Sequence, residues 1–131
     1  MRFGIFLFWS VDPARYVLQV RLAEEVGFDW ICVGDCQSLF HDVYVSLALV
    51  AQNTSRAQLG PLVTNPLTRH PVVAAGAMVS IDALAQGRTF FGIGTGFSSV
   101  LNVGERPATR AHLCDYVAAV RQLLTGAPCV W

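Results

Sequence analysis

The chain has 131 residues, which favours a single domain spanning residues 1–131. Lys plus Arg number 9 and Asp plus Glu number 9, so net charge gives no reason to expect nucleic acid or an anionic membrane as a partner. Hydrophobic residues make up 53% and charged residues 14%, which excludes a disordered chain and predicts apolar surface that needs a covering partner. No apolar stretch is long enough to predict a membrane span.

The spacing of the four cysteines does not form a disulfide framework. Cys32 and Cys36 lie close together, but no second Cys or His pair follows, so we interpret them as buried, inert thiols. The sequence therefore predicts no metal site. Free thiols, together with the α/β fold inferred below, favour a cytoplasmic location.

The first two units each pair an apolar run with a helix. Residues 3–8 are typical of a strand buried on both faces, and the following helix is capped by Asp12 and ended by Gly27. Residues 30–33 predict a second strand. Asp42 then caps a second helix.

The third and fourth units repeat this pattern. Residues 58–63 predict a third strand, in which Pro61 requires an irregularity because it has no N–H for the ladder. A third helix is expected over residues 71–85. Residues 89–93 predict a fourth strand, and a fourth helix begins near Thr109 after a loop containing Gly and Ser.

The order β-α-β-α-β-α-β-α predicts an α/β fold with parallel strands and helical crossovers. Two architectures fit it: an open four-stranded sheet with helices on both faces, or the first four β/α units of a TIM (β/α)8 barrel. A full barrel needs about 250 residues. Residues 127–131 begin another apolar segment without a partner, which favours a half barrel that is either truncated or completed by a second copy.

Ligands of both architectures bind at the carboxyl ends of the strands, where polar residues collect in this sequence. Residues 92–96 are rich in glycine but do not complete a dinucleotide fingerprint, because Phe97 stands where its last glycine would be. The glycines equally suit a tight turn or the close approach of a planar ring or a phosphate.

The loop over residues 64–71 is stiffened by two prolines. For Thr64 and Asn65 we favour hydrogen bonding to the edge of a ligand ring. For Arg69 we favour a simpler interpretation, in which Thr68 caps the helix and Arg69 is solvated. Asp35 is the only acid at a strand end. It either orients a ring nitrogen or accepts a proton, or it simply forms a turn. No nucleophilic constellation can be assembled, so no catalytic residue is predicted.

Three strings together resemble the luciferase-like monooxygenase superfamily: Gly34-Asp35, residues 60–71 and residues 92–98. The similarity extends in order over nearly the whole chain. It favours the branch that contains methylenetetrahydromethanopterin reductase, which uses the deazaflavin coenzyme F-420. The string Thr-Asn-Pro-Leu-Thr-Arg-His-Pro is its most specific part.

The resemblance implies a TIM barrel that binds FMN or coenzyme F-420 at its carboxyl rim, with the loop string favouring the deazaflavin. It implies hydride transfer or monooxygenation on a small organic substrate. It also implies a bulge with a non-proline cis peptide, here Leu62–Val63. By the same match, the residues around the cofactor would be Asp35, Leu62, Val63, Thr64, Asn65, Thr68, Gly94, Thr95 and Gly96.

The sequence departs from the family in two ways. Phe97 stands where the family often has an acid, which disfavours chemistry of the sugar-phosphate or alcohol dehydrogenase type. The family's phosphate-binding loops belong to the second half of the barrel. We therefore expect a missing C-terminal half or a homo-oligomer. The alternative function is a non-catalytic half barrel that self-associates through its open sheet edges.

Overall fold

Three parallel strands form the centre of the computed structural model, which describes residues 1–131. They are β1 (Gly4–Leu7), β2 (Trp30–Val33) and β3 (Gln58–Pro61), in the spatial order β1-β2-β3. Ile31 of β2 lies opposite Ile5 and Leu59 of its two neighbours. The predicted α/β class with parallel strands is confirmed.

Five helices connect and flank these strands. They are α1 (Pro13–Glu25), α2 (Val43–Asn53), α3 (Pro71–Ala85), α4 (Ser98–Leu101) and α5 (Arg110–Leu124). The short helix α4 was not predicted, because its sequence was interpreted as part of a loop. No helix is both long and apolar enough to cross a membrane.

Side-chain caps fix where the long helices begin. Asp12 accepts a hydrogen bond from the N–H of Arg15, and Asp42 accepts from two N–H groups in the first turn of α2, as predicted. Thr109 caps α5 in the same way. The expectation that Thr68 caps α3 is wrong: the cap is His70, whose Nδ1 accepts from the N–H of Val72, because Thr68 is bonded within its own loop.

The core lies between the sheet and the helices. One face of the strands contributes Ile31, Val33 and Leu59, all at most 1% exposed, and the helices cover them with residues such as Tyr16, Val20, Leu47, Val50, Met78 and Tyr116. This apolar layer fixes the sheet, and therefore fixes the positions of the loops that follow each strand.

The opposite face of the sheet is open. Phe6 is 39% exposed, Phe8 43% and Trp30 40%. The expectation that the first strand is buried on both faces is therefore wrong for this chain, because only the Ile5 and Leu7 side packs against the helical core. An uncovered aromatic face of this size predicts a partner surface.

The predicted fourth strand is interrupted. The segment after α3 lies parallel to β3 but pairs with it at only two isolated bridges, Leu59–Thr89 and Thr64–Ile93. Between these bridges the β3 side contains one residue more than its partner, which is a β-bulge. The irregularity expected at Pro61 is therefore confirmed, and it begins at the carboxyl end of β3 and continues into the loop that follows.

Candidate functional site

A cavity of about 610 Å³ opens at the carboxyl ends of the strands. Six of the nine residues predicted to surround a cofactor line it: Asp35, Leu62, Val63, Gly94, Thr95 and Gly96. They come from the loops after β2, β3 and the fourth extended segment. The volume falls within the range of small-molecule sites, about 300–1,000 Å³.

The bulge after β3 forms one wall of the cavity. The peptide bond between Leu62 and Val63 is cis, as the resemblance implied. The side chains of Leu62 and Val63 remain 44% and 42% exposed and line the cavity. They offer an apolar surface to a ligand.

The glycine loop forms a second wall. A Cβ atom at Gly94 would approach Val63 Cγ2 to 3.1 Å, so a side chain there would crowd the wall. Gly96 has a φ of +91°, and a Cβ on it would lie 2.7 Å from Val100. The tight turn, one of the two alternatives that the sequence left open, is therefore present in this loop, and the close approach of a ring or a phosphate stays a prediction.

Asp35 is the acid of the cavity and is only 7% exposed. Its Oδ2 accepts hydrogen bonds of 2.6 Å from the Thr64 hydroxyl and from Arg69 Nη1. Its Oδ1 accepts one of 2.8 Å from the Gln37 side-chain amide. The carboxylate is thus held from two sides at the edge of the cavity.

The expectation that Arg69 is solvated is wrong. Its side chain is 11% exposed and forms ion pairs with Asp35 at 2.6 Å and with Asp42 at 2.8 Å. Burial alone would lower the pKa of Arg69, but the two carboxylates outweigh it and raise the pKa. Arg69 is therefore a permanent cation behind the cavity wall.

A tyrosine pair encloses this ion network. The Arg69 guanidinium lies 4.9 Å from the centre of the Tyr44 ring, and the Tyr116 hydroxyl donates to the Arg69 carbonyl oxygen. Burial raises the pKa of Tyr44 and that of Tyr116 to about 12. Both phenols therefore stay neutral in the physiological range and cannot serve as bases there.

Thr64, Asn65 and Thr68, the other three predicted residues, lie behind the wall. Thr64 and Asn65 are each 1% exposed. The Asn65 amide donates to the hydroxyls of Thr68 and Ser99, and its oxygen accepts from two backbone N–H groups of the loop. In this structure they support the wall, and direct contact with a cofactor stays a prediction.

Sequence reasoning missed several residues of the cavity. Phe6, Phe8, Cys36, Leu39 and Phe40 also line it. The sequence did contain a signal for Phe6 and Phe8. They alternate with Ile5 and Leu7 along the first strand and the residue after it, so the two phenylalanines had to point to the face opposite the helical core. No group of three or more His, Cys, Asp or Glu side chains is arranged to hold a metal ion.

The comparison with protein families gives one match that covers the whole chain. The family described as luciferase-like monooxygenase matches residues 1–131. Among curated proteins, the 5,10-methylenetetrahydromethanopterin reductase of Methanolobus tindarius is 32% identical over 130 residues, which is 96% of this chain and 39% of that protein.

The comparison with solved structures finds chains that share this fold. The coenzyme F-420-dependent tetrahydromethanopterin reductase of Methanopyrus kandleri superposes with a TM-score of 0.88 and 27% identity, over 99% of this chain and 42% of that one. The oxygenating constituent of 3,6-diketocamphane monooxygenase from Pseudomonas putida, solved with FMN, has a TM-score of 0.72 at 20% identity, over 95% of this chain and 38% of that one, which supports the fold alone.

The chain spans about two fifths of the length of the relatives it matches. The residues matched by the family, 1–131, include the bulge, the glycine loop and the strand-end acid described above. The chain belongs to the luciferase-like monooxygenase family.

Proposed function

We propose that this chain forms the ring-binding half of an oxidoreductase that uses coenzyme F-420 or FMN. The observation that carries the proposal is the cavity of about 610 Å³ between the Leu62–Val63 wall and the glycine loop. The reaction is hydride transfer to, or monooxygenation of, a small organic molecule. Relatives that use F-420 and a structural neighbour solved with FMN support both cofactors.

The residues of the cavity fit an isoalloxazine-type ring system. Such a ring has two flat faces and a polar edge, and the cavity pairs the apolar surface of Leu62 and Val63 with Asp35 at one side. The glycines at positions 94 and 96 keep the opposite loop free of side chains. When bound, the cofactor supplies the hydride or oxygen chemistry.

The residues of this chain then have two tasks. Leu62 and Val63 pack against the ring face and exclude water from it. Asp35 accepts a hydrogen bond from the ring edge, which fixes the orientation of the ring. Phe97 stands beside the glycine loop where the family often has an acid, so this position cannot transfer a proton to the substrate.

We also propose that the chain acts as half of a TIM barrel, since its structural neighbours are more than twice as long. In a complete barrel the missing half would provide the phosphate anchor.

The four cysteines are free thiols, which supports a cytoplasmic location.

Cofactor titration tests the proposal. Adding purified chain to F-420, and separately to FMN, should quench or shift the cofactor fluorescence at micromolar protein concentrations. Gly94→Leu should weaken this binding by at least about tenfold. The added Cβ atom alone would crowd Val63, and the rest of the leucine side chain would fill the cavity. Gly76→Ala, on the outer helix α3, serves as the matched control and should bind as the unmodified chain does.

An unchanged fluorescence with both cofactors would refute cofactor binding by this chain. The second candidate function would then gain support, which is a non-catalytic half barrel that self-associates. The observation that favours it is the exposed aromatic face of β1 and β2, where Phe6, Phe8 and Trp30 are each about 40% exposed. Either a second copy or a C-terminal half would cover that face.

A further inference from the structure

Three donors converge on the carboxylate of Asp35, and the strongest comes from a residue outside the cavity. Arg69 Nη1 and the Thr64 hydroxyl each lie 2.6 Å from Oδ2, and Gln37 lies 2.8 Å from Oδ1. Arg69 does not line the cavity, whereas Asp35 does. Arg69 can therefore reach a ligand only by acting through Asp35.

Arg69 is itself held in place from several elements. Its Nη2 donates to Asp42 at the start of α2, and its guanidinium lies over the Tyr44 ring. Its carbonyl oxygen accepts from the Tyr116 hydroxyl of α5 at 3.1 Å. A planar guanidinium that bridges two carboxylates in this way has one orientation, and it transmits that orientation to Asp35.

We propose that Arg69 is a positioning residue, which fixes the Asp35 carboxylate as a hydrogen-bond acceptor for the polar edge of the bound ring. This inference rests on the proposed function. A site must hold its groups to within about 0.5 Å of the productive geometry. Thr64 and Gln37 give Asp35 neutral hydrogen bonds, and Arg69 adds a charge-assisted one, which is roughly twice as strong and which only donates.

Coupling between Arg69 and Asp35 tests the proposal. We expect Arg69→Gln and Asp35→Asn each to weaken F-420 or FMN binding by about tenfold. The double variant should bind no more weakly than Asp35→Asn alone, because both changes remove the same interaction. Arg69→Lys should recover part of the affinity, since it restores the positive charge without the planar fork.

Arg88→Gln is the matched control. Arg88 is also a partly buried arginine, but it donates to Thr54 and to the Ala57 carbonyl oxygen and does not line the cavity, so stability should fall while cofactor affinity changes little. Thermal unfolding of every variant distinguishes a loss of folding from a loss of Asp35 positioning. Equal weakening by Arg88→Gln, or additive effects in the double variant, would overturn the proposal in favour of a purely structural role for Arg69.

A second readout needs no cofactor. The Gln37 side-chain amide donates to Asp35, so its NMR signals report where that carboxylate lies. Arg69→Gln should shift these signals in the same direction as Asp35→Asn, and Arg88→Gln should leave them in place. If the unmodified chain binds neither cofactor, the proposed function fails, but this experiment still decides the positioning role: unmoved Gln37 signals in Arg69→Gln would refute it.

Discussion

At the scale of single residues, Glu24 holds the loop that leads into β3. Its carboxylate accepts hydrogen bonds from the N–H groups of Ser55, Arg56 and Ala57. Partial burial would raise the pKa of Glu24, but these three hydrogen bonds outweigh it and hold the pKa below its ordinary value of 4.5. The loop is therefore fixed by one partly buried acid at the end of α1.

Glu24→Gln should lower the free energy of unfolding at pH 7 by about 1 kcal/mol, because it replaces charged acceptors by one neutral oxygen. A lowered pKa in the folded state stabilises above the ordinary pKa, and this stability is lost as the pH falls below about 4.5. The difference between the two proteins in urea unfolding should therefore shrink from pH 7 to pH 3. Glu25→Gln is the control, and an equal difference at both pH values would contradict the argument.

The limits of sequence reasoning at this scale are clear at Asp35 and Arg69. The position of Asp35 at a strand end was predictable, because Gly34 and Asp35 follow an apolar run directly. The burial of Arg69 was not, since its two partners lie 34 and 27 positions away and meet it only in the folded chain. The one available signal was that Arg69 lies between two prolines in a strand-end loop, in a chain whose only strand-end acid is Asp35.

At the scale of elements, the meeting of β3 with the fourth extended segment determines the shape of the site. A Cβ atom on Gly60 would lie 2.1 Å from the carbonyl oxygen of Phe90, so the two backbones are in direct contact there. The sequence correctly placed the irregularity at Pro61 but predicted a continuous fourth strand. Periodicity reports which residues are apolar, whereas the register across a bulge depends on the neighbouring backbone.

Gly60→Ala should therefore lower the free energy of unfolding by about 1–3 kcal/mol, because the added methyl forces β3 and its neighbour apart. Gly76→Ala provides a control of opposite sign. It lies inside α3 with no heavy atom within 4 Å of the added Cβ, so it should stabilise the chain by up to about 1 kcal/mol. Chemical denaturation measures both changes, and a neutral Gly60→Ala would show that the two backbones separate easily.

At the scale of the whole molecule, the fold has one finished face and one open face. The helices cover one side of the sheet and bury Ile31, Val33 and Leu59, while Phe6, Phe8 and Trp30 on the other side are each about 40% exposed. The apolar composition predicted that some surface would need a partner. It could not predict which surface, because that depends on which strand face the helices cover.

We expect the purified chain to self-associate at micromolar concentrations through this open face, measured by size-exclusion chromatography with light scattering. Trp30→Gln should raise the dissociation constant by about tenfold, since it removes roughly 1.5–3 kcal/mol of apolar burial. Val45→Gln is the matched control: Val45 is 53% exposed on α2, which is flanked by α1 and α3, so it lies far from the open face. A chain that stays monomeric, or equal weakening by Val45→Gln, would mean that the aromatic face is not what joins the copies.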